Sequence, residues 1–160
     1  FRRVLFRSLG QSCEVIGYSM GARIAAWLAI ENPARVRQLV LMGPGGLADP
    51  MAPVGVAGQV PAEPSPARHY DGGRLRDDAM IARLHEISVP TLILAGSRDA
   101  RVPAAAVQMA RSRIARSNLM YVYDASHALE ADQPARVAAL VEDFLVRGEA
   151  FVVDTGAAAA

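Results

Sequence analysis

Apolar positions in this chain fall into two alternating rhythms. Val15-Ile16-Gly17-Tyr18 is a short apolar run that reads as a strand, and from Met20 to Asn32 apolar residues return at helical spacing until Asn32-Pro33 ends the pattern. Arg37 to Met42 reads as a buried strand, closed by Gly43-Pro44-Gly45-Gly46. Val89 to Ala95 repeats that signal, with Pro90 tolerable at the first positions of a strand. Pro103 to Arg116 predicts a helix with proline in its first turn, and Asn118 to Tyr123 a further strand. Gln133 to Val146 predicts a helix started by Pro134, with Val137, Leu140, Val141, Phe144 and Leu145 on one face. Asp77 to Ile87 is weakly helical. Repeated strand-helix alternation of this kind predicts an α/β chain: a parallel sheet with right-handed crossovers and flanking helices.

Between these segments, Leu47 to about Arg76 is rich in Pro, Gly and Ala and holds no period. Ordinary connections run to about 4–6 residues, so a stretch this long predicts a lid or binding segment. We take 49–76 as a reduced cap within a domain spanning 9–148. Leu9 to Gln11 reads as the end of a helix. Phe1 to Ser8 is basic and apolar without periodicity and is expected to be non-native read-through; 149–160 is a tail with no assigned role. No internal repeat is visible.

Composition narrows the function classes. The 160 residues are 52% hydrophobic and 21% charged, ordinary for a globular domain with a core, and the net charge is +1. The basic residues are scattered, which argues against nucleic-acid and membrane partners. Lysine is absent and arginine supplies every non-histidine cation, a usage that suggests a G+C-rich bacterial source. The one cysteine, Cys13, permits no internal disulfide or cysteine-based metal cluster and is expected as a buried structural thiol. No apolar run approaches the about 18 residues that span a bilayer. A cytoplasmic location is the default, and since the chain does not begin with Met that default leaves secretion open.

The candidate chemistry starts at Gly17-Tyr18-Ser19-Met20-Gly21, a G-x-S-x-G turn between a predicted strand and a predicted helix. A serine at such a tip takes a strained backbone, glycines two residues to either side relieve crowding at its Cβ, and the helix that follows aims its first N–H groups beside the hydroxyl. In a parallel sheet, sites lie beyond the carboxyl ends of the strands. Ser19, Asp99 and His127 each follow a predicted strand and so open onto one edge. Asp124 and Asp49 are rival acids, with Asp124 expected to end its strand. His69 and His85 read as surface residues. Arg98 and Arg101, beside Asp99, are able to bind an acidic substrate, although solvated loop arginines are the commoner case.

The order Ser, Asp, His differs from other triad orders. With GYSMG at Gly17 to Gly21, GSRDARVP at Gly96 to Pro103 and SHALEADQP at Ser126 to Pro134, the chain resembles the C-terminal part of an α/β-hydrolase fold protein over roughly Leu9 to Val146. The last segment is similar to the family's G-H-x-x-x-x-E-x-P pattern, with Asp132 for the Glu and Ser126 for the first Gly; Ala22 stands where many members carry a second glycine. The resemblance implies a serine hydrolase acting on a small-molecule ester or related carbonyl compound, with Ser19 as nucleophile, His127 as base, Asp99 as its orienting acid and the Met20 N–H in the oxyanion hole. It implies neither metal nor organic cofactor. Leu41 to Leu47 (LMGPGGL) is similar to a segment of meta-cleavage product hydrolases, which cleave carbon–carbon bonds in ring-fission products, though their cap is much longer than 49–76. Hydrolysis of such a bond, a non-catalytic binding protein of the same fold, and an inactive gene fragment are the alternatives.

Overall fold

A computed structural model describes residues 12–48, 76–148 and residue 150. In chain order the elements are β1 (Cys13–Tyr18), α1 (Met20–Glu31), β2 (Val36–Met42), α2 (Asp78–Arg83), β3 (Thr91–Gly96), α3 (Ala104–Arg113), β4 (Ser117–Val122), α4 (Leu129–Asp132) and α5 (Pro134–Arg147). Single 3-10 turns at Pro33–Arg35 and Leu84–Glu86 complete the path. The strands form one sheet in the order β1-β2-β3-β4. Every neighbour pair is parallel, with Tyr18 beside Met42, Met42 beside Leu94, and Gly96 beside Val122. The carboxyl ends of all the strands therefore share one edge.

Side-chain alternation divides the core in two. Leu39, Leu41, Ile93 and Ala95 point to the face covered by α1, α2 and α3, where Ala22, Ala26, Met80, Val107 and Ile114 meet them. Val40, Leu92 and Leu94 point to the other face, against Leu129, Val137 and Phe144 of α4 and α5. Leu140, Val141 and Leu145 pack at the margin of that second cluster, as the helical period requires. β3 is buried at every position, whereas β1, at the edge of the described sheet, leaves Ile16 half exposed.

Several boundaries differ from the sequence expectation, each for a local reason. β3 begins at Thr91 rather than Val89, since Pro90 has no N–H to donate and contributes only its carbonyl, 2.9 Å from the Leu39 N–H. Pro103 stands just before α3 instead of in its first turn, its carbonyl accepting from the Ala106 N–H at 2.9 Å. That helix stops at Arg113 because Ile114 turns extended to enter the core, where it is fully buried. α4 was not expected; it is a single turn seated on Leu129. The weakly helical stretch resolves into α2 followed by a 3-10 turn. Cys13 is half-buried rather than buried, with Sγ 3.8 Å from the Arg35 carbonyl. His69, Asp49, the read-through segment 1–8, the cap 49–76 apart from Arg76, and the tail apart from residue 150 lie outside the described residues. Among the described residues no helix is long and apolar enough to cross a membrane.

Candidate active site

The chain turns from β1 into α1 through Ser19, whose φ of 52° and ψ of −115° place a non-glycine residue in a region costing about 1–3 kcal/mol. Neighbouring backbone holds it there. The Ser19 N–H donates to the Met42 carbonyl at 2.8 Å, and its carbonyl accepts from the Gly45 N–H at 2.9 Å. The loop leaving β2 thus grips both sides of the tip. The two flanking glycines are not equivalent, contrary to the sequence expectation. A Cβ on Gly17 would fall 2.5 Å from the Gly21 carbonyl oxygen and 2.6 Å from the Ala22 Cα, so only glycine lets β1 meet α1. A Cβ on Gly21 would meet nothing within 4 Å among the described residues. The Ala22 and Arg23 N–H groups donate to the Ser19 carbonyl at 3.1 and 3.4 Å, whereas the Met20 and Gly21 N–H groups, at the start of α1, have no carbonyl one turn earlier within the helix to accept them.

Asp99 and His127 arrive on two loops laced together beyond β3 and β4. The Ser97 N–H donates to the Val122 carbonyl at 3.0 Å, the Arg98 N–H to the Ala125 carbonyl at 2.9 Å, and the Asp124 N–H to the Ser97 hydroxyl at 2.9 Å. Gly96 permits that crossing: a Cβ there would sit 2.1 Å from the Ser126 carbonyl oxygen. Asp132 then anchors the histidine loop by accepting from the Ser126 N–H at 2.7 Å, and hydrogen bonding from the Ser126 side chain and then its backbone holds the Asp132 carboxyl below the ordinary range.

The result is a continuous relay. His127 Nε2 lies 2.9 Å from Ser19 Oγ, and His127 Nδ1 lies 2.9 Å from Asp99 Oδ2. The other oxygen, Asp99 Oδ1, accepts from the Arg101 N–H at 2.7 Å and the Val102 N–H at 3.0 Å. With its side chain 1% exposed, burial alone would raise the Asp99 pKa. The bonds from His127, Val102 and Arg101 outweigh that and leave the carboxyl below its ordinary value. An ionised carboxylate only accepts, so the proton of the neutral imidazole resides on Nδ1 and the Nε2 lone pair faces the serine hydroxyl. The Tyr18 ring packs at 5.4 Å from the imidazole, tilted by 42°. Burial pushes its phenol up, and the nearby Glu130 charge adds to the rise. The rival Asp124 faces elsewhere, with φ of 60° after β4 and its carboxylate 3.1 Å from Arg98 Nε. His85 is exposed, its Nδ1 2.9 Å from the Ala82 carbonyl.

Two supports escape a local reading of the sequence. Gly43, with φ of 49°, lies where a Cβ would come within 3.2 Å of His127 Cε1, so the turn after β2 gives the imidazole its room. Asp77 is 7% exposed and caps α2 through the Met80 N–H at 2.9 Å. Its Oδ2 accepts from Arg23 Nε at 2.8 Å and Trp27 Nε1 at 2.7 Å, both on the helix that follows Ser19. The Asp77 N–H in turn meets the Gly46 carbonyl at 2.8 Å, joining the two ends of the intervening segment. An aspartate three residues before Met80, opening a helical stretch, is the one signal that hinted at the cap.

Known proteins bear on this geometry. The family model described as alpha/beta hydrolase fold matches residues 9–82. A 2-hydroxymuconate semialdehyde hydrolase of Pseudomonas sp. (strain CF600) is 27% identical, with 89% of this chain and 65% of that protein covered. Among solved structures, a carboxylesterase from Bacillus subtilis superposes with a TM-score of 0.70 at 21% identity, covering 92% of this chain and 65% of the other. A meta-cleavage product hydrolase from Pseudomonas fluorescens IP01 gives 0.68 at 18% identity, covering 86% and 65%. The chain thus spans 65% of the length of each of these relatives. The parallel sheet, the strand-to-helix elbow at Ser19 and these likenesses make the chain an α/β-hydrolase fold protein.

Proposed function

We propose that this chain carries the catalytic triad of a serine hydrolase that cleaves a carboxylic ester or related carbonyl compound through an acyl-enzyme. The observation that carries this reading is the unbroken relay from Ser19 Oγ through both imidazole nitrogens to Asp99, with 2.9 Å at each step. Ser19 Oγ attacks the carbonyl carbon as its proton passes to His127 Nε2, and the carbonyl oxygen gains the negative charge. Asp99 stabilises the imidazolium and fixes the tautomer from which it formed. The oxyanion rests against the Met20 N–H at the start of α1, where the unpaired amides and the helix dipole favour an anion. Collapse expels the leaving group, which takes the proton from His127. Water then attacks the acyl-enzyme by the same route, returning a carboxylic acid and free Ser19. The partner is a small acyl substrate, and no step calls for a cofactor.

A second reading, hydrolysis of a carbon–carbon bond beside a ketone, draws on the likeness to the 2-hydroxymuconate semialdehyde hydrolase and on the LMGPGGL segment that shapes the turn around His127. The stretch 49–76 serves either reading as the reduced cap that selects the substrate. Incubation with a fluorophosphonate probe tests the nucleophile: a single adduct at Ser19, absent in Ser19→Ala, with p-nitrophenyl butyrate hydrolysis lost in parallel, is the expected result. An adduct elsewhere, or turnover surviving Ser19→Ala, rejects the assignment.

A further inference from the structure

Beside His127 lies a cavity of about 270 Å³ bordered by Tyr18, Arg98, Ala100, Arg101, Ser126 and Ala128. Its two cations differ. Arg98 is engaged, with Nε 3.1 Å from the Asp124 carboxylate and a terminal nitrogen 2.7 Å from the Asp124 carbonyl. Arg101 has its backbone N–H fixed on Asp99, but its guanidinium forms no hydrogen bond or ion pair among the described residues. The surrounding carboxylates are committed elsewhere: Asp99 to His127, Asp124 to Arg98, and Asp132 to the Ser126 N–H. Glu130, whose charge reaches Tyr18, makes no ion pair with Arg101. A planar fork of donors at a cavity wall, on the loop that also presents the triad acid, matches one carboxylate in size and geometry.

We propose that this cavity takes a carboxylate carried by the leaving group of the substrate, paired with Arg101, so that the protein prefers acid-bearing esters over neutral ones. The assignment to the leaving-group side rests on the hydrolase reading above, since His127, which borders the cavity, is the group that returns a proton to the departing oxygen. The Tyr18 ring supplies an apolar wall against which the body of an aromatic or unsaturated leaving group packs. Arg101, which lines the cavity, is exposed, so the pair is partly screened and its effect is moderate and salt-sensitive.

The test uses the full chain and two matched esters, 3-acetoxybenzoate and its neutral isostere 3-acetoxybenzamide. The kcat/KM ratio is expected to favour the acid roughly five- to tenfold at low salt, through KM, and to shrink at about 0.5 M NaCl. Arg101→Gln should bring the ratio to near one, Arg101→Lys should keep part of it, and Arg98→Gln should keep most of it. A wild-type ratio near one, or a preference that survives Arg101→Gln, overturns the proposal. In parallel, binding of the products 3-hydroxybenzoate and 3-hydroxybenzamide to Ser19→Ala is measured by calorimetry, which needs no turnover. Arg101-dependent preference for the acid in that assay supports the subsite even if neither ester is hydrolysed, an outcome that removes the hydrolase reading alone. Equal binding of the two products, with Ser19-dependent hydrolysis intact, removes the subsite alone.

Discussion

Replacing Asp77 by Asn should destabilise the fold severely for a change of one atom. The carboxylate receives three donors, from Met80 N, Arg23 Nε and Trp27 Nε1, and its residue is 7% exposed. Asn offers one acceptor oxygen. If that oxygen keeps the Met80 N–H, the amide NH₂ is turned toward the guanidinium and the indole N–H, leaving donors facing donors. The loss combines a charge-assisted bond, worth about 1.5–3 kcal/mol, with a largely buried indole N–H left unpaired, about 1–3 kcal/mol. We expect about 3–4 kcal/mol, which for a chain of this length lowers the melting temperature by roughly 10 °C. Urea unfolding at neutral pH measures it, with Asp78→Asn as control. Asp78 pairs with Arg76 on the surface, and its loss should cost under about 0.5 kcal/mol.

The same site makes a signed statement about pH. Burial alone would raise the Asp77 pKa, but the bonds from Met80, Trp27 and Arg23 and the Arg23 charge hold the carboxyl below its ordinary value. A depressed folded pKa contributes stability that is complete above the unfolded value of about 4 and is lost as pH falls through the folded one. The gap between wild type and Asp77→Asn should therefore be widest near neutrality and narrow below about pH 4. A gap under about 1 kcal/mol at pH 7, or one that widens in acid, would refute the clamp.

Other substitutions separate chemistry from architecture. Asp99→Asn should lower kcat by about 10⁴-fold by releasing the imidazole tautomer, while Asp124→Asn changes it less than about threefold; steady-state hydrolysis of p-nitrophenyl butyrate ranks them, and the reverse order moves the acid to Asp124. Gly17→Ala should abolish stable folding, because its Cβ would overlap α1 backbone, whereas Gly21→Ala should leave the melting temperature within a few degrees or raise it, as expected for alanine in a helix. Thermal unfolding of the two purified proteins decides, and equal damage from both refutes the asymmetry. Gly43→Ala should depress kcat more than stability, since the added methyl bears on His127 Cε1 at 3.2 Å; intact turnover in that variant would mean that the turn gives the imidazole no room it needs.

The sequence exposes features written at short range. Apolar periodicity places every strand and the helices α1, α3 and α5, because each period is read within one element. The convergence of Ser19, Asp99 and His127 is also legible, although 108 residues separate the serine from the histidine. Once the sheet is parallel, every strand delivers its exit loop to the same edge, so topology does the work that proximity in sequence does not. Residues that hold those loops in place have no such rule. Asp77 meets Arg23 and Trp27 across 54 and 50 residues, and nothing in a Pro-rich approach followed by a weak helix announces a carboxylate that must be buried.

The glycines after β2 show how far composition is from geometry. Gly43, Gly45 and Gly46 look like one loose turn, yet each meets a different constraint. Gly43 takes a positive φ of 49° under the imidazole, Gly45 donates its N–H to the Ser19 carbonyl, and Gly46, at φ of 86°, passes its carbonyl to Asp77 and lies against the Arg23 side chain. One loop therefore touches His127, Ser19 and the clamp that fixes the helix behind it. A Cβ added in that loop would press on the His127 ring from Gly43, on the Ser19 backbone from Gly45 and on the Arg23 side chain from Gly46. The elbow at Ser19 is held as much by the exit of β2 as by its own G-x-S-x-G sequence. A strained tip costing about 1–3 kcal/mol persists only where such neighbours over-determine it, and here the bonds from Ser19 N to Met42 and from Gly45 N to Ser19 do so from both sides.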